Sequence, residues 1–376
     1  MGSNAEVVEI MIPILFEPTW RYFNDIDMGG GKGRLTDAIS CVITEELNGV
    51  YELEMQYPTN GRFFAELMQP GLIAAYRPYM NGSSLVRAVE PFDIYKRTIE
   101  NGVLIINAHH ISYRFAKCYI TDMYNWGTTL SNVLSRWFNT LRPLQNFQPW
   151  SVTADDTGVV TGSTDCREIK TAREYLLDGT YSIKKFFNVD FTFRCWSIFA
   201  QAHRGENRGV EIRYGKNATQ LQVVKDETES MNAIFAYWEG LSNGTKVRAF
   251  SDLIQPTPAI TPVQALPIDF SDQYDEMPSK ATLNAAAARY LEENQPWLAK
   301  ETATVQFIPN KDERIELGDT VSVFYSDGDM QGTMRVVRVK YDSLKEEYTE
   351  ISLGELQKNY TVTSRDGLSA TRQIMA

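Results

Sequence analysis

The chain has 376 residues, with 37 Lys and Arg against 48 Asp and Glu, so its formal net charge is −11. Hydrophobic residues make up 43% and charged residues 23%, a composition that excludes a disordered chain and fits roughly two to four globular domains. The acidic balance argues against a protein that grips phosphate backbones. The longest apolar runs are far shorter than the roughly 20 residues of a membrane helix.

The four cysteines lie far apart and form no C-x-x-C pair, so neither a zinc knuckle nor a redox motif is predicted. Reduced, buried thiols are expected instead. Residues 1–10 lack the basic start and long apolar stretch of a secretory signal. We expect them to be a leader or residues added for expression, with the natural start at Met11.

Two β-hairpins are predicted in the first 110 residues. Apolar and polar residues alternate over 38–57, and Asn48-Gly49 between the two runs predicts a type I′ turn. A second hairpin is predicted over 93–108, around Glu100-Asn101-Gly102. Two further short strands are expected at 72–76 and 85–89. This spacing of short strands indicates a small antiparallel barrel or sandwich that ends near His110.

The middle of the chain mixes helix and strand signals. An i, i+3, i+4, i+7 apolar stripe predicts a helix from Thr129 to Leu141, and a shorter helix is expected over 171–177 before Gly179. Strands are predicted at 186–200 and 209–214. Another hairpin is expected over 232–250, turning across 240–244.

Five prolines in residues 255–278 indicate an extended connection without a regular core element. A helix is predicted from the N-cap Ser279 to a point before Pro296. The remaining chain is predicted to form four strands, at 305–308, 319–325, 333–341 and 348–353, with a turn at 326–329.

No catalytic, cofactor-binding or metal-ligating residue is predicted. The glycine run 29–33 lacks the G-x-x-x-x-G-K-[ST] order of a phosphate loop, and it indicates a loop. Adjacent His109 and His110 at a strand end point to opposite faces and cannot chelate one metal together. A Cys–His peptidase dyad remains open, either Cys195 with His203 or Cys118 with His110, although each cysteine has an apolar, strand-like context that favours a buried thiol.

Three blocks of sequence together resemble the N-terminal module of phage and prophage tail-tip proteins, which are also called minor structural, tail-associated lysin or prophage tail endopeptidase proteins. The first block is Gly33–Tyr57, the second is Gly209–Asn217, and the third combines Glu316–Val321 with Arg338–Leu344. They occur in the family's order, and the resemblance covers residues 11 to 356.

The resemblance implies an α+β, predominantly β fold with two small antiparallel β-barrels and a mixed middle module, similar to baseplate hubs. The expected first barrel is 11–110 and the second combines 230–252 with 301–356. The expected middle module combines 111–229 with 253–300, and 357–376 is a C-terminal tail. Any peptidase domain of the relatives would follow Leu356, so we expect no enzymatic activity and no cofactor.

The resemblance also implies a function. It predicts a homotrimeric ring at the distal tip of the virion tail, made in the cytoplasm of the bacterial host. The ring is expected to join the sixfold tail tube to the threefold tip and to surround the DNA exit channel. Its expected partners are a distal tail protein and a tape measure protein, without specific nucleic-acid binding or a membrane anchor. A cell-wall peptidase that uses a Cys–His pair is the alternative.

Overall fold

The computed structural model describes most of the chain, and its described residues are 12–20, 31–81, 84–86, 88–120, 127–143, 150–162, 170–178, 182–213, 215–226, 230–242, 245–271, 274, 276–294, 296–297, 300–307, 315–325, 330–354, 359–363 and 369–373. The turn expected at 326–329 and Cys166 lie outside these residues.

The described chain is predominantly β, as the sequence predicts. Its strands in the N-terminal half are β1 Ile14–Phe16, β2 Gly33–Arg34, β3 Ser40–Glu46, β4 Tyr51–Pro58, β5 Leu72–Tyr76, β6 Tyr79–Asn81, β7 Ser84–Val86, β8 Val89–Glu100, β9 Val103–His110, β10 Tyr119–Ile120, β11 Leu141–Arg142 and β12 Ser151–Ala154. The later strands are β13 Asp190–Arg194, β14 Ser197–Gln201, β15 Asn207–Arg213, β16 Ala218–Asp226, β17 Ala233–Ser242, β18 Thr245–Ile254, β19 Ala265–Asp269, β20 Lys300–Phe307, β21 Thr320–Tyr325, β22 Met330–Asp342, β23 Glu347–Gly354, β24 Asn359–Thr363 and β25 Ser369–Gln373.

Five α-helices and one 3-10 helix are present in the described residues. They are α1 Phe64–Leu67, the 3-10 helix Ile111–Lys117, α2 Leu130–Thr140, α3 Ala172–Leu177, α4 Ile183–Phe187 and α5 Lys280–Asn294. The side chains of Thr129, Thr171 and Ser279 accept hydrogen bonds from backbone N–H groups of the first turns of α2, α3 and α5. These caps confirm the predicted helix starts. None of the helices in this part of the chain is long and apolar enough to cross a membrane.

One curled sheet of 13 strands dominates the structure. Its path runs β16-β20-β23-β22-β3-β4-β9-β8-β5-β1-β2, and β21 branches from β22 and carries β15. The ladder between β22 and β3, from Arg338 opposite Glu46 to Asp342 opposite Val42, joins the C-terminal strands to the N-terminal ones. Both ends of the chain therefore share one hydrogen-bonded sheet.

The hairpin expected over 232–250 forms as β17 and β18, but its sheet differs from the expected one. Among the described strands it pairs with β19, not with 300–354. The reason is the inward stripe of Ile234, Ala236 and Trp238, which packs on α5 in a separate small core. Segment 207–226, expected in the middle module, instead supplies β15 and β16 of the large sheet.

The type I′ turn lies in the second hairpin and not in the first, where it is predicted. Asn101 and Gly102 both have positive φ, 49° and 80°, so the type I′ turn lies in the second hairpin. In the first hairpin only Asn48 is left-handed, with φ 57°, and Gly49 is not. The expected type I′ turn at Asn48-Gly49 is therefore wrong, because the Asn48 side chain is held by a distant part of the chain.

Three further local expectations are corrected. Phe186, expected in a strand, lies in α4. Cys195 stands in a turn between β13 and β14 with φ 46°, not in a strand. The proline-rich stretch contains β19, which accommodates Pro267 because it is an edge strand of its sheet.

Candidate functional site

A carboxylate occupies an inward position of β3, where the alternation of the strand places Cys41, Ile43 and Glu45 on the buried face. Glu45 is 2% exposed. A buried carboxylate is costly unless cations and hydrogen bonds compensate it. The partners of Glu45 therefore define a candidate polar site.

Three arginines surround Glu45. Arg204 Nη2 donates to Oε1 at 2.8 Å and Arg77 Nη2 to Oε2 at 3.1 Å. Arg194 Nη1 donates to Oε1 at 3.3 Å. Arg77 follows β5, Arg194 ends β13 and Arg204 follows β14, so the three arginines come from positions 32, 149 and 159 residues away from Glu45.

Glu316, before β21, adds the C-terminal part of the chain to this cluster. Its Oε2 lies 3.8 Å from Arg77 Nη2 and 3.9 Å from Arg194 Nη2, and its Oε1 accepts from the Met80 N–H at 3.1 Å. We call Glu45, Arg77, Arg194, Arg204 and Glu316 the charged junction. It ties the N-terminal strands, the β13–β14 hairpin and the C-terminal strands together.

The two carboxyl groups of the charged junction respond differently to burial. Burial alone raises the pKa of Glu45, but Arg204, Arg194 and Arg77 together hold it well below its usual value. Burial also raises the pKa of Glu316, and there the same three arginines oppose it only in part. Glu45 is therefore the anion on which the junction depends.

A second polar cluster lies beside the charged junction. Asp190 accepts from Asn48 Nδ2 at 2.8 Å, from the Arg204 N–H at 2.8 Å, and from the guanidinium of Arg335. Asn48 Oδ1 accepts from the Phe191 N–H at 2.7 Å. The turn of the first hairpin is thus clamped onto β13, which explains its single left-handed residue.

Two glycines cross next to this cluster at van der Waals contact of their backbones. A Cβ on Gly318 would lie 2.3 Å from the Arg204 carbonyl oxygen, and one on Gly205 would lie 2.1 Å from the Gly318 carbonyl carbon. Both residues have positive φ, 93° and 92°. Asp319 Oδ1 accepts from the Glu206 N–H at 2.8 Å, a hydrogen bond that holds the Gly205 and Gly318 segments together. Only glycine fits both positions.

The residues of the possible Cys–His dyads make other contacts. Cys118 Sγ donates to the Arg114 carbonyl at 3.2 Å, and burial raises the pKa of its thiol to about 11. Burial, with the charge of Glu90, also raises the pKa of Cys195. Both thiols are therefore protonated at neutral pH, which is unfavourable for a nucleophile. In the described ranges no group of three or more His, Cys, Asp or Glu residues could hold a metal ion.

His110 is fully buried and His109 is partly exposed, so the two side chains lie on opposite faces of β9, as expected. Its Nδ1 accepts from the Ser112 N–H at 3.2 Å, which assigns the proton to Nε2, 3.3 Å from Glu90 Oε2. The ring stacks on Tyr51 at 4.3 Å between centroids. Burial lowers the pKa of His110, and Glu90 opposes this in part. The imidazole is therefore neutral at pH 7.

This lowered pKa predicts a pH dependence of stability. Below about pH 6.5 the unfolded chain protonates His110 while the folded chain does not, so stability falls as the pH falls from 6.5 towards the folded pKa. We expect His110→Gln to reduce this slope by up to about 1.4 kcal/mol per pH unit. Urea unfolding at steps from pH 7.5 to 5 measures it. His109→Gln is the comparison: burial lowers the pKa of His109 as well, so this change should reduce the slope in the same direction, but less, because the His109 side chain is 29% exposed and His110 is fully buried. Equal slopes for His110→Gln and wild type would contradict the prediction.

Sequence reasoning missed the charged junction, although one signal was present. Glu45 stands in the inward register of an otherwise apolar strand, and an inward carboxylate requires buried cations. Its arginine partners carry no such signal. Blocks one and three of the sequence resemblance contain Glu45 and Asn48, and Glu316, Gly318 and Asp319 respectively. Those blocks thus coincide with the residues that join distant strands.

Comparison with known proteins gives a family model and several solved structures. The model described as "Prophage endopeptidase tail" matches residues 206–364. No curated protein sequence matches the chain. Prophage tail protein gp18 from Listeria monocytogenes has 15% identity and a TM-score of 0.58, with 91% of this chain and 94% of that chain covered.

Two other tail proteins give similar values. The 43 kDa tail protein of prophage MuSo2 from Shewanella oneidensis has 14% identity and a TM-score of 0.56, covering 84% of this chain and 94% of that chain. A tail protein from Neisseria meningitidis has 12% identity and a TM-score of 0.57, covering 92% of this chain and 97% of that chain. The resemblance noted in the sequence is therefore confirmed: the chain is similar to prophage tail proteins in sequence over 206–364 and in fold over most of its length.

Proposed function

We propose that this protein is a structural component of a phage or prophage tail tip, in which three copies form a hub ring around the DNA exit channel. The observation that carries the proposal is the single curled sheet, which runs through both ends of the chain in a fold shared with tail proteins. In this role the protein lies at the distal tip of the virion. It docks on a distal tail protein and surrounds the path of the tape measure protein and DNA.

We further propose that the large sheet contains two barrels. The C-terminal one comprises β15-β21-β22-β23-β20-β16, and its residues enclose a separate apolar core around Val323, Val336 and Leu353. The N-terminal one comprises the strands of 11–110. The proposed boundaries follow the sequence expectation, except that 207–226 joins 300–356 and that 230–297 forms an insertion around α5.

The number of strands in the sheet favours a ring. From β16 to β8 there are eight strands, and every neighbouring pair is antiparallel. Because eight is even, the first and last strands run in opposite directions. If the copies are related by rotation about an axis along the strands, β16 of one copy therefore lies antiparallel to β8 of the next. β5 pairs with β8 from Val89 to Asp93, and the Ile94 N–H donates to the Gly71 carbonyl at 3.1 Å. Beyond Ile94, β8 has no further strand partner on this side in the described chain, so its last residues have an edge available for a neighbour.

The face of these strands opposite the core is weakly acidic. Its charged side chains on β3, β4, β22 and β23 include the carboxylates Glu46, Glu52, Glu54 and Glu350 and the cations Arg338 and Lys340. Arg338 and Lys340 pair with Glu46 and Glu350. We propose that this face lines the channel, where an excess of carboxylates would let the phosphate backbone pass without binding.

The test is the mass of the purified chain by light scattering, combined with electron micrographs. We expect three times the chain mass of 42.8 kDa, and ring-shaped particles. Ile99→Glu, on the free part of β8, should shift the mass towards the monomer by placing a charge in the contact. Ile39→Glu is the matched control, since Ile99 and Ile39 are 53% and 54% exposed. A strict monomer at high concentration, without rings, would count against the proposal.

The peptidase alternative rests on the family description. Its own test is digestion of purified cell wall by the wild type and by Cys118→Ala and Cys195→Ala. Clearing that one of these changes abolishes would support a peptidase in this chain. Because burial keeps both thiols protonated, we expect no clearing of the cell wall that depends on either cysteine.

A further inference from the structure

Four side chains form a continuous stack on the polar face of the sheet. The ring of Tyr95 lies 3.8 Å from that of His109, at an interplanar angle of 17°. His109 in turn lies 4.2 Å from Tyr113, at 8°. The guanidinium carbon of Arg173 lies 3.9 Å from the centre of the Tyr113 ring. We call these residues the aromatic stack.

The inner end of the aromatic stack is closed by an arginine. Arg173 is buried, and its guanidinium donates to Ser112 Oγ at 3.2 Å and to the Gly49 carbonyl at 2.9 Å. A planar guanidinium stacks on an aromatic ring through cation–π attraction and dispersion. A guanidinium group is therefore already the terminal layer at one end of this stack.

The outer end is open to solvent. Tyr95 is 48% exposed even though His109 covers one side of its ring. Tyr95 is the extra residue of a bulge between Ile94 and Lys96, where the register of β8 on β9 shifts, and this bulge turns its ring onto the stack. The ring therefore has room for one more layer.

The charges around this open end favour a cation. Glu52 Oε1 lies 3.1 Å from His109 Nε2, and Glu54 follows on the same face of β4. Burial, then the charge of Glu52 and, more weakly, that of Glu54 raise the pKa of Tyr95, so both carboxylates act at the ring. Lys96 stands at the rim opposite Asn107. The cations Arg173 and Lys117 act on His109, deeper in the stack, whereas the ionised side chains that act on Tyr95 are Glu52 and Glu54. The open end of the stack is therefore its acidic end.

We propose that Tyr95, with Glu52 and Glu54, binds an arginine side chain of a protein partner as the outer layer of the aromatic stack. The carboxylates hold the guanidinium by charge, and the ring holds it by cation–π attraction. A nucleic acid could stack on the same ring, but its phosphates would be repelled by Glu52 and Glu54. The site is defined on one copy of the chain and does not depend on the hub ring.

The probe is a capped tetra-arginine peptide, titrated calorimetrically into the full-length protein at low salt. Tyr95→Leu should weaken its affinity about two- to fivefold, the value of an exposed cation–π contact. Tyr95→Phe keeps the ring and should bind like the wild type. Glu54→Gln leaves the stack intact. It should also lower the affinity for the peptide and make that affinity depend less on salt.

Tyr119→Leu is the matched control, because Tyr119 is an equally exposed tyrosine, at 56%, outside the stack. It should leave the affinity unchanged. The proposal fails if Tyr95→Leu has no effect, or if Tyr119→Leu causes the same loss. It also fails if Tyr95→Leu abolishes binding of a single-stranded oligonucleotide while the peptide is unaffected. Thermal unfolding of each variant shows that the fold is retained.

Discussion

Replacing Glu45 with Gln is expected to lower the free energy of unfolding by about 3–5 kcal/mol. The change keeps the size of the side chain and removes its charge, so Arg77, Arg194 and Arg204 lose the anion that they share. Glu316 cannot replace it, since its oxygen lies 3.8 Å or more from the nearest guanidinium nitrogens. Urea unfolding, followed by tryptophan fluorescence, measures the loss.

Glu46→Gln is the matched control, one position further along the same strand. Glu46 faces outward, its side chain is 34% exposed, and its carboxylate lies 3.3 Å from Arg338. Exposed ion pairs contribute little, so this change should cost less than about 1 kcal/mol. A similar small cost for Glu45→Gln would show that the charged junction is not a stability determinant.

A double variant distinguishes the loss of the Glu45 carboxylate alone from the loss of the whole Glu45–Arg77 ion pair. Arg77→Met alone should also be destabilising, because Glu45 then loses one cation and Tyr348 the guanidinium that donates to its hydroxyl. Combined with Glu45→Gln, it should cost less than the two single changes together, since fewer unpaired charges remain buried.

Local pattern predicted most elements of the fold. The alternation at 38–57 determines which side of β3 and β4 is buried, and both predicted hairpins are present. The caps at Thr129, Thr171 and Ser279 mark helix starts by a chemistry that acts within one turn. Such signals depend on neighbours in the sequence, and a single sequence contains them in full.

Strand partners and the charged junction could not be predicted in the same way. The apolar stripe of β17 shows that one face is buried, but it does not say whether α5 or the C-terminal strands cover it. Likewise, Glu45 and Glu316 are 271 positions apart in the sequence, and nothing local connects them. The turn at Asn48 failed for this reason too, because Asp190 and Phe191 hold its side chain.

Gly318→Ala is expected to destabilise the protein by about 3 kcal/mol or more. The substitution forces a side chain into a left-handed conformation, with φ 93°. In addition, the new Cβ would lie 2.3 Å from the Arg204 carbonyl oxygen, a backbone atom that cannot rotate away. The displaced segment carries Arg204, so the contact of Arg204 with Glu45 and its close approach to Gly318 should be lost together. Thermal and urea unfolding measure the effect.

Gly209→Ala distinguishes the clash from the backbone strain. Gly209 also has positive φ, 71°, but its Cβ would meet nothing within 4 Å. It should therefore cost only the strain of a left-handed residue, about 1–2 kcal/mol. If both variants lose the same amount, strain alone explains Gly318. A clearly larger loss at Gly318 means that the close crossing of Gly205 and Gly318 is itself required, because it brings the Arg204 segment within reach of Glu45.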